Sequence, residues 1–226
     1  MQRYNSFNII HKALRAMMYD TALTLQQTHF PDAEEAETAL TKVETVIEHF
    51  EHHAHHENTF ILPAIEAFEP RLVEAFENEH VEDMELGNRL KTLLNIFRAV
   101  ESDEEKINAG SAISKAFRDF MTFNLSHMAK EESEINQALW KHYTDQELIE
   151  LNERLTANIP QERKMMVAKW MLRGINKFEA VTWLKAVKHS SPSFVFQSLY
   201  ELTETELPAQ IRDEVQDAVL EIELLN

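Results

Sequence analysis

The chain has 226 residues, 44% of them hydrophobic, with three glycines, six prolines and no cysteine. So few breakers among abundant Ala, Leu, Glu, Lys and Met predict an almost wholly helical protein. The missing cysteines exclude disulfides, thiolate zinc sites and cysteine-ligated iron–sulfur clusters. A formal net charge of −17 argues against nucleic acid and anionic membrane as partners. The N-terminus "MQRYNSFNIIHK" lacks a signal peptide's apolar core, and no run reaches membrane-spanning length, so a soluble cytoplasmic protein is expected.

In chain order, Ser6 is predicted to cap a first helix running to about His29, before Pro31. Asp32 with Glu35 opens a second helix to about Phe68, kinked where Pro63 removes a backbone donor. Pro70 starts a third as a first-turn proline, ending near Val100. Ser102 with Glu105 caps a fourth that reaches about His142. Four long helices with short connections predict an all-α, up-down-up-down four-helix bundle over residues 1–143. Residues 144–226 read as a C-terminal helical extension packing on the bundle. Its capping pairs are Thr144–Glu147 and Asn176–Glu179, and its breaks are Pro160, Pro192 and Pro208.

Residues 49–56 hold five histidines, and the helical advance of about 100° per residue decides which of them face inward. In the second helix the apolar stripe is Val43, Val46, Phe50, Ile61, Ala64 and Phe68. His53 and Glu57 fall on it; His52 and His55 point away, and His49 and His56 lie on the flanks. The first helix centres its stripe on His11, among Phe7, Leu14 and Met18. The third centres on His80, among Val73, Phe76, Met84 and Gly87. The fourth places His127 and Glu131 among Ile113, Phe120, Phe123 and Ala138. Burying an imidazole–carboxylate pair without partners costs several kcal/mol, roughly, so partners are required. Neutral imidazole with carboxylate suits iron, manganese or zinc. His29, His142 and His189 read as terminal or surface residues.

The order repeats. A lone histidine precedes a His-x-x-x-Glu pair twice, with His11 and His53 42 residues apart and His80 and His127 47 apart. A two-helix unit used twice makes two metals about an approximate two-fold axis the natural outcome, with the glutamates between them. Ferritin-like bundles need two Glu-x-x-His motifs, and only Glu77-x-x-His80 has that spacing. No His-Glu-x-x-His, Walker or dinucleotide motif is present.

Over residues 5–142 the chain resembles the hemerythrin-like family, the HHE cation-binding domain. The resemblance is carried by "HKALR", "HAHHENTFILPAIE", "NEHVEDM" and "HMAKEE". It implies two iron ions in an oxo- or hydroxo-bridged non-haem di-iron centre. His11, His53, His80 and His127 are the implied nitrogen donors, and Glu57 and Glu131 the bridges; zinc or manganese would accept the same donors. Oxygen-carrying members have His-x-x-x-His on the third helix, where this chain has Met84, and His-x-x-x-x-Asp on the fourth, where it has His127-x-x-x-Glu131. Both departures are similar to the branch that includes iron–sulfur-repair di-iron proteins, associated with nitric oxide and oxidative stress. Those proteins usually carry a cysteine-bearing N-terminal domain, absent here. The implied function is to bind or sense O2 or NO, or to handle iron under oxidative or nitrosative stress, and not to carry oxygen reversibly. The alternatives are a di-iron NO or peroxide reductase, and an interaction protein whose metal stabilises the bundle; no protein partner of the extension is indicated. Arg15, one turn past His11, reads equally as a neighbour of the bridging carboxylates or as an end contact. Gly87 reads as room for a ligand channel or as a close helix contact.

Overall fold

A computed structural model describes residues 3–220, and every element among them is helical. The bundle elements are α1 (Asn8–Gln27), α2 (Ala33–His56), α3 (Leu62–Glu66), α4 (Pro70–Ala99), α5 (Asp103–Lys130) and α6 (Asn136–His142), followed by α7 (Asp145–Ala157). Then come α8 (Gln161–Gly174), α9 (Lys177–Ser190), α10 (Ser193–Glu206) and α11 (Ala209–Leu220). Among the described residues no helix is long and apolar enough to cross a membrane.

Local chemistry sets most of these ends. Asp32 accepts the Glu34 and Glu35 amides at 2.9 and 3.0 Å, satisfying donors that a helix start leaves open. Ser102–Glu105, Thr144–Glu147 and Asn176–Glu179 are reciprocal capping boxes. The first helix departs from expectation. Its cap is Asn5, not Ser6: the Asn5 Oδ1 accepts the Phe7 and Asn8 amides at 2.9 and 3.0 Å. The break expected at Pro63 takes the form of a π turn just before it, Glu57–Ile61, in which the Leu62 amide donates to the Glu57 carbonyl five residues back. A second π turn, Glu131–Ile135, repeats this with Asn136 and the Glu131 carbonyl, and no proline announces it.

Inter-helix pairs fix the directions. Lys42 meets Asp20 at 2.7 Å, Lys91 meets Glu51 at 2.5 Å, Arg98 meets Glu44 at 2.6 Å, and Lys130 meets Glu79 at 2.5 Å. Numbers rise on α4 as they fall on α2, and with Asn124 meeting Asp83 the same holds for α5 and α4, so these neighbours are antiparallel. Such pairs, largely exposed, contribute little stability. The bundle is held by Met18, Leu40, Ile47, Leu90, Leu94, Ile113, Phe117 and Phe120, all fully buried. Each contributes about 1.5–3 kcal/mol of transfer free energy if buried whole.

Phe68 was expected in this core but is half-exposed, stacked on the half-buried His142 at 3.9 Å. A further apolar cluster joins Phe7, Ile61, Ile65, Phe76, Ile135 and Leu139 to Leu148 and Leu151 of α7. The chain's start is clasped to this end. Arg3 donates to the Tyr143 carbonyl at 2.7 Å and pairs with Asp145 at 2.5 Å, and the Trp140 indole donates to the Tyr4 carbonyl at 2.6 Å.

Contacts divide the chain into two compact units, residues 1–8 with 17–158 and residues 9–16 with 159–226; α1 runs uninterrupted through both. The second unit gathers Ala168, Leu172, Leu184, Leu199, Val215 and Val219 from α8–α11 around one core.

Candidate metal centre

The last turn of α2 runs into the first π turn at Glu57, and the last turn of α5 runs into the second at Glu131. Each junction therefore presents a histidine and, one turn on, a carboxylate to the interior. His53 Nε2 lies 3.1 Å from Glu57 Oε1, and His127 Nε2 lies 3.1 Å from Glu131 Oε1. From α4, His80 Nε2 stands 3.3 Å from Glu57 Oε2 and 3.8 Å from Glu131 Oε1. All of these side chains are buried or nearly so, and His11 on α1 is wholly buried.

Two groups of possible ligands result. His11, His53, Glu57 and Glu131 offer atoms within 4.8 Å of one another, as do Glu57, His80, His127 and Glu131. Both glutamates belong to both groups. Ligand atoms about 2 Å from one ion stand about 3–4 Å from each other. The observed separations of 3.1–3.8 Å are of that size, so the donor set fits a metal in spacing as well as in chemistry.

The rings are held from behind. His80 Nδ1 donates to Asn58 Oδ1 at 2.7 Å, and His127 Nδ1 donates to Glu79 Oε2 at 2.8 Å. With Nδ1 carrying the proton, Nε2 keeps its lone pair for the interior, the tautomer that a metal requires. Glu79 is fixed in turn by Lys130. Asn58 and Glu79 carry no sequence signature: Asn58 follows Glu57 on the wide turn, and Glu79 meets a histidine 48 residues away.

Without a cation the carboxylates act on the imidazoles. Burial disfavours a charged ring at His80, yet Glu131 and Glu57 outweigh it and push His80 up to about 10. His127 is raised too, with burial opposed by Glu131 and Glu79. A metal must displace these protons, because only the neutral ring ligates.

The other candidates separate by position. His52 is half-exposed near Glu48 and His55 is exposed, as their angular positions require. His49 was expected on a flank but is buried, its Nδ1 donating to its own helix at the Thr45 carbonyl, 2.8 Å away. Met84 was expected on the inner stripe of α4 but is 50% exposed. The inward residue one turn past His80 is Asp83, which accepts the Asn124 amide at 2.6 Å. A Cβ on Gly87 would stand 3.3 Å from Ile47 Cγ2, so this glycine serves close packing of α4 on α2. Arg15 is half-buried, and Glu77 and His189 are exposed.

Two comparisons find similar proteins. The family model for the hemerythrin HHE cation binding domain matches residues 4–139. F-box/LRR-repeat protein 5 of Salmo salar is 22% identical over 192 residues, 83% of this chain but 25% of that protein. The chain thus spans a quarter of the length of that relative, over a stretch longer than the family match. No solved structure matches the chain.

Proposed function

The chain belongs to the hemerythrin HHE cation-binding family, and from that membership we propose a cytoplasmic non-haem di-iron protein that binds or senses O2 or NO, or handles iron under oxidative or nitrosative stress. The observation that carries this reading is the sharing of Glu57 and Glu131 by both ligand groups. His11 and His53 would hold a metal in one group and His80 and His127 in the other, with Glu57 and Glu131 available to both. Iron, if held there, would supply exchangeable coordination positions and electrons for a small oxidant or for NO.

The chain's own residues do the rest. Asn58 and Glu79 hold two ring protons outward, so that the inner nitrogens stay available. Phe76 and Phe123 pack on the His127 ring at 5.6 and 5.9 Å. Two histidines per ion leave more open positions than a ligand-saturated structural site would.

A second reading, an interaction module whose metal stabilises the bundle, draws support from the similarity to part of an F-box/LRR-repeat protein. One experiment separates the two. Metal analysis is combined with optical spectra of the anaerobically reduced protein before and after O2 and NO. Two irons per chain and a spectrum that responds to either gas are expected. A spectrally silent zinc protein that ignores both gases would favour the module.

A further inference from the structure

The six side chains of the centre leave one buried carboxylate unexplained. Asp83 is 5% exposed, and among the described residues no lysine or arginine pairs with it. Its donor is the neutral amide of Asn124, itself buried, at 2.6 Å. That amide is oriented by two acceptors, since Nδ2 also donates to the Phe120 carbonyl at 3.2 Å, and its Oδ1 is left buried without a hydrogen bond. A lone buried carboxylate costs more than one hydrogen bond from a neutral group returns. Burial accordingly pushes the Asp83 carboxyl up, opposed by the Asn124 hydrogen bond and by His127, His80 and His53. Asp83 is three residues from His80 on α4 and its partner Asn124 three residues from His127 on α5, so its charge belongs to the His80/His127 half of the bundle.

The internal repeat shows which ion. Asp83 lies three residues after His80, and Asn124 three before His127. In the other half the matching positions are Leu14, three after His11, and Phe50, three before His53, and both are buried apolar residues. The His11/His53 half therefore has a leucine and a phenylalanine at the positions where the His80/His127 half has a carboxylate and an amide. Two divalent ions bring more positive charge than Glu57 and Glu131 cancel, and in a dry interior the excess is felt strongly. Asp83 also stands outside both ligand groups.

We propose that Asp83, held by Asn124, is a positioning residue that compensates the charge of the metal at the His80/His127 position without ligating it, making the two metal positions unequal. This rests on the two-ion reading above. The inequality has a direction: the His80/His127 position binds a divalent ion more tightly and favours the higher oxidation state more than its partner does.

The test uses the full chain and ferrous iron alone, titrated anaerobically by calorimetry, with thermal melts with and without the metal. Asp83→Asn keeps the shape and an acceptor for Asn124 but removes the charge. It should weaken one of two binding steps by about 10–100-fold and leave the other unchanged. Its metal-free form should melt higher than the wild type, and the rise on adding iron should shrink. Asn124→Ser, which keeps the charge, should retain both steps. Equal lowering of the metal-free and iron-bound melts by Asp83→Asn, with both steps intact, would make Asp83 a structural acceptor and overturn the proposal. Equal weakening of both steps, or failure of the near-isosteric Asp83→Asn chain to fold even with iron, would also overturn it. A wild-type chain that takes up a single ion would instead overturn the two-ion reading, while the Asp83→Asn melts would still decide the role of Asp83.

Discussion

The bundle and the helices α8–α11 are built by the same means, amphipathic segments closed by capping residues, but their interiors differ. Among the described residues of α8–α11 the buried side chains are apolar except Thr203, whose hydroxyl donates to its own helix at the Tyr200 carbonyl, and Glu206, whose carboxylate pairs with Arg173. The bundle buries His49, Glu57, His80, Asp83, Asn124, His127, Glu131 and Asn136 as well. Helices of this length pack around an almost wholly apolar core, as α8–α11 show. The polar interior of the bundle is thus an expense of function, and its stability should depend on what fills the centre.

The widest gap between the two regions should open on chelation. An ion held at a thousand times its dissociation constant stabilises the folded state by about 4 kcal/mol, so its loss should lower melting by roughly 10 °C. Hydrogen exchange should show α4 and α5 losing protection while α8–α11 keep theirs. Equal loss in both regions would erase the contrast.

Alkaline pH should sharpen it next. The Glu131 and Glu57 carboxylates outweigh the burial penalty and raise His80 from 6.5 to about 10 in the metal-free bundle. Stability from a raised histidine is fully present below its unfolded value and is lost as pH climbs through the folded one. Metal-free protein should therefore melt progressively lower from pH 7 to 10, and metal-loaded protein should change less. A flat metal-free profile would mean that the carboxylates do not hold that proton.

Substitutions probe single faces of the helices. His53→Ala should lose at least one bound ion, whereas His52→Ala, half-exposed and outside both ligand groups, should keep both; elemental analysis reads the difference. The smallest effect belongs to the second unit. Phe178 is 77% exposed, and Phe178→Ser should change unfolding free energy by less than about 0.5 kcal/mol and leave metal content unchanged.

What the sequence discloses follows from the range of each signal. Capping boxes span three residues and His-x-x-x-Glu pairs span four, so helix starts and the inward pairs are legible without the fold. The π turns are not. Each widens the helix by one residue, which is why a stripe continued at the α-helical period from Phe50 passes to Ala64 and Phe68. The buried residues beyond the turn are Ile61, Leu62 and Ile65. On α4 the inner face runs Val73, Phe76, His80, Asp83, Gly87, Leu90, Leu94 and Phe97, alternating steps of three and four. Counting that heptad would have found Asp83; preferring the apolar residue at the next position selects Met84 instead. Asn58 and Glu79 depend on which helices meet, and no local pattern encodes that.

The clasp between Arg3 and Tyr4 at one end of the bundle and Trp140, Tyr143 and Asp145 at the other brings its entry and exit to the same place. A module whose two ends meet can be carried within a longer polypeptide with short joints and little disturbance to its host. It can also be permuted: joining these ends directly and opening the chain between α2 and α4, around Ala67–Glu69, would keep every ligand-bearing helix whole. Pulled from its ends, the bundle would transmit load to the clasp before the helices, so tension would release Arg3 well before it reached the metal centre.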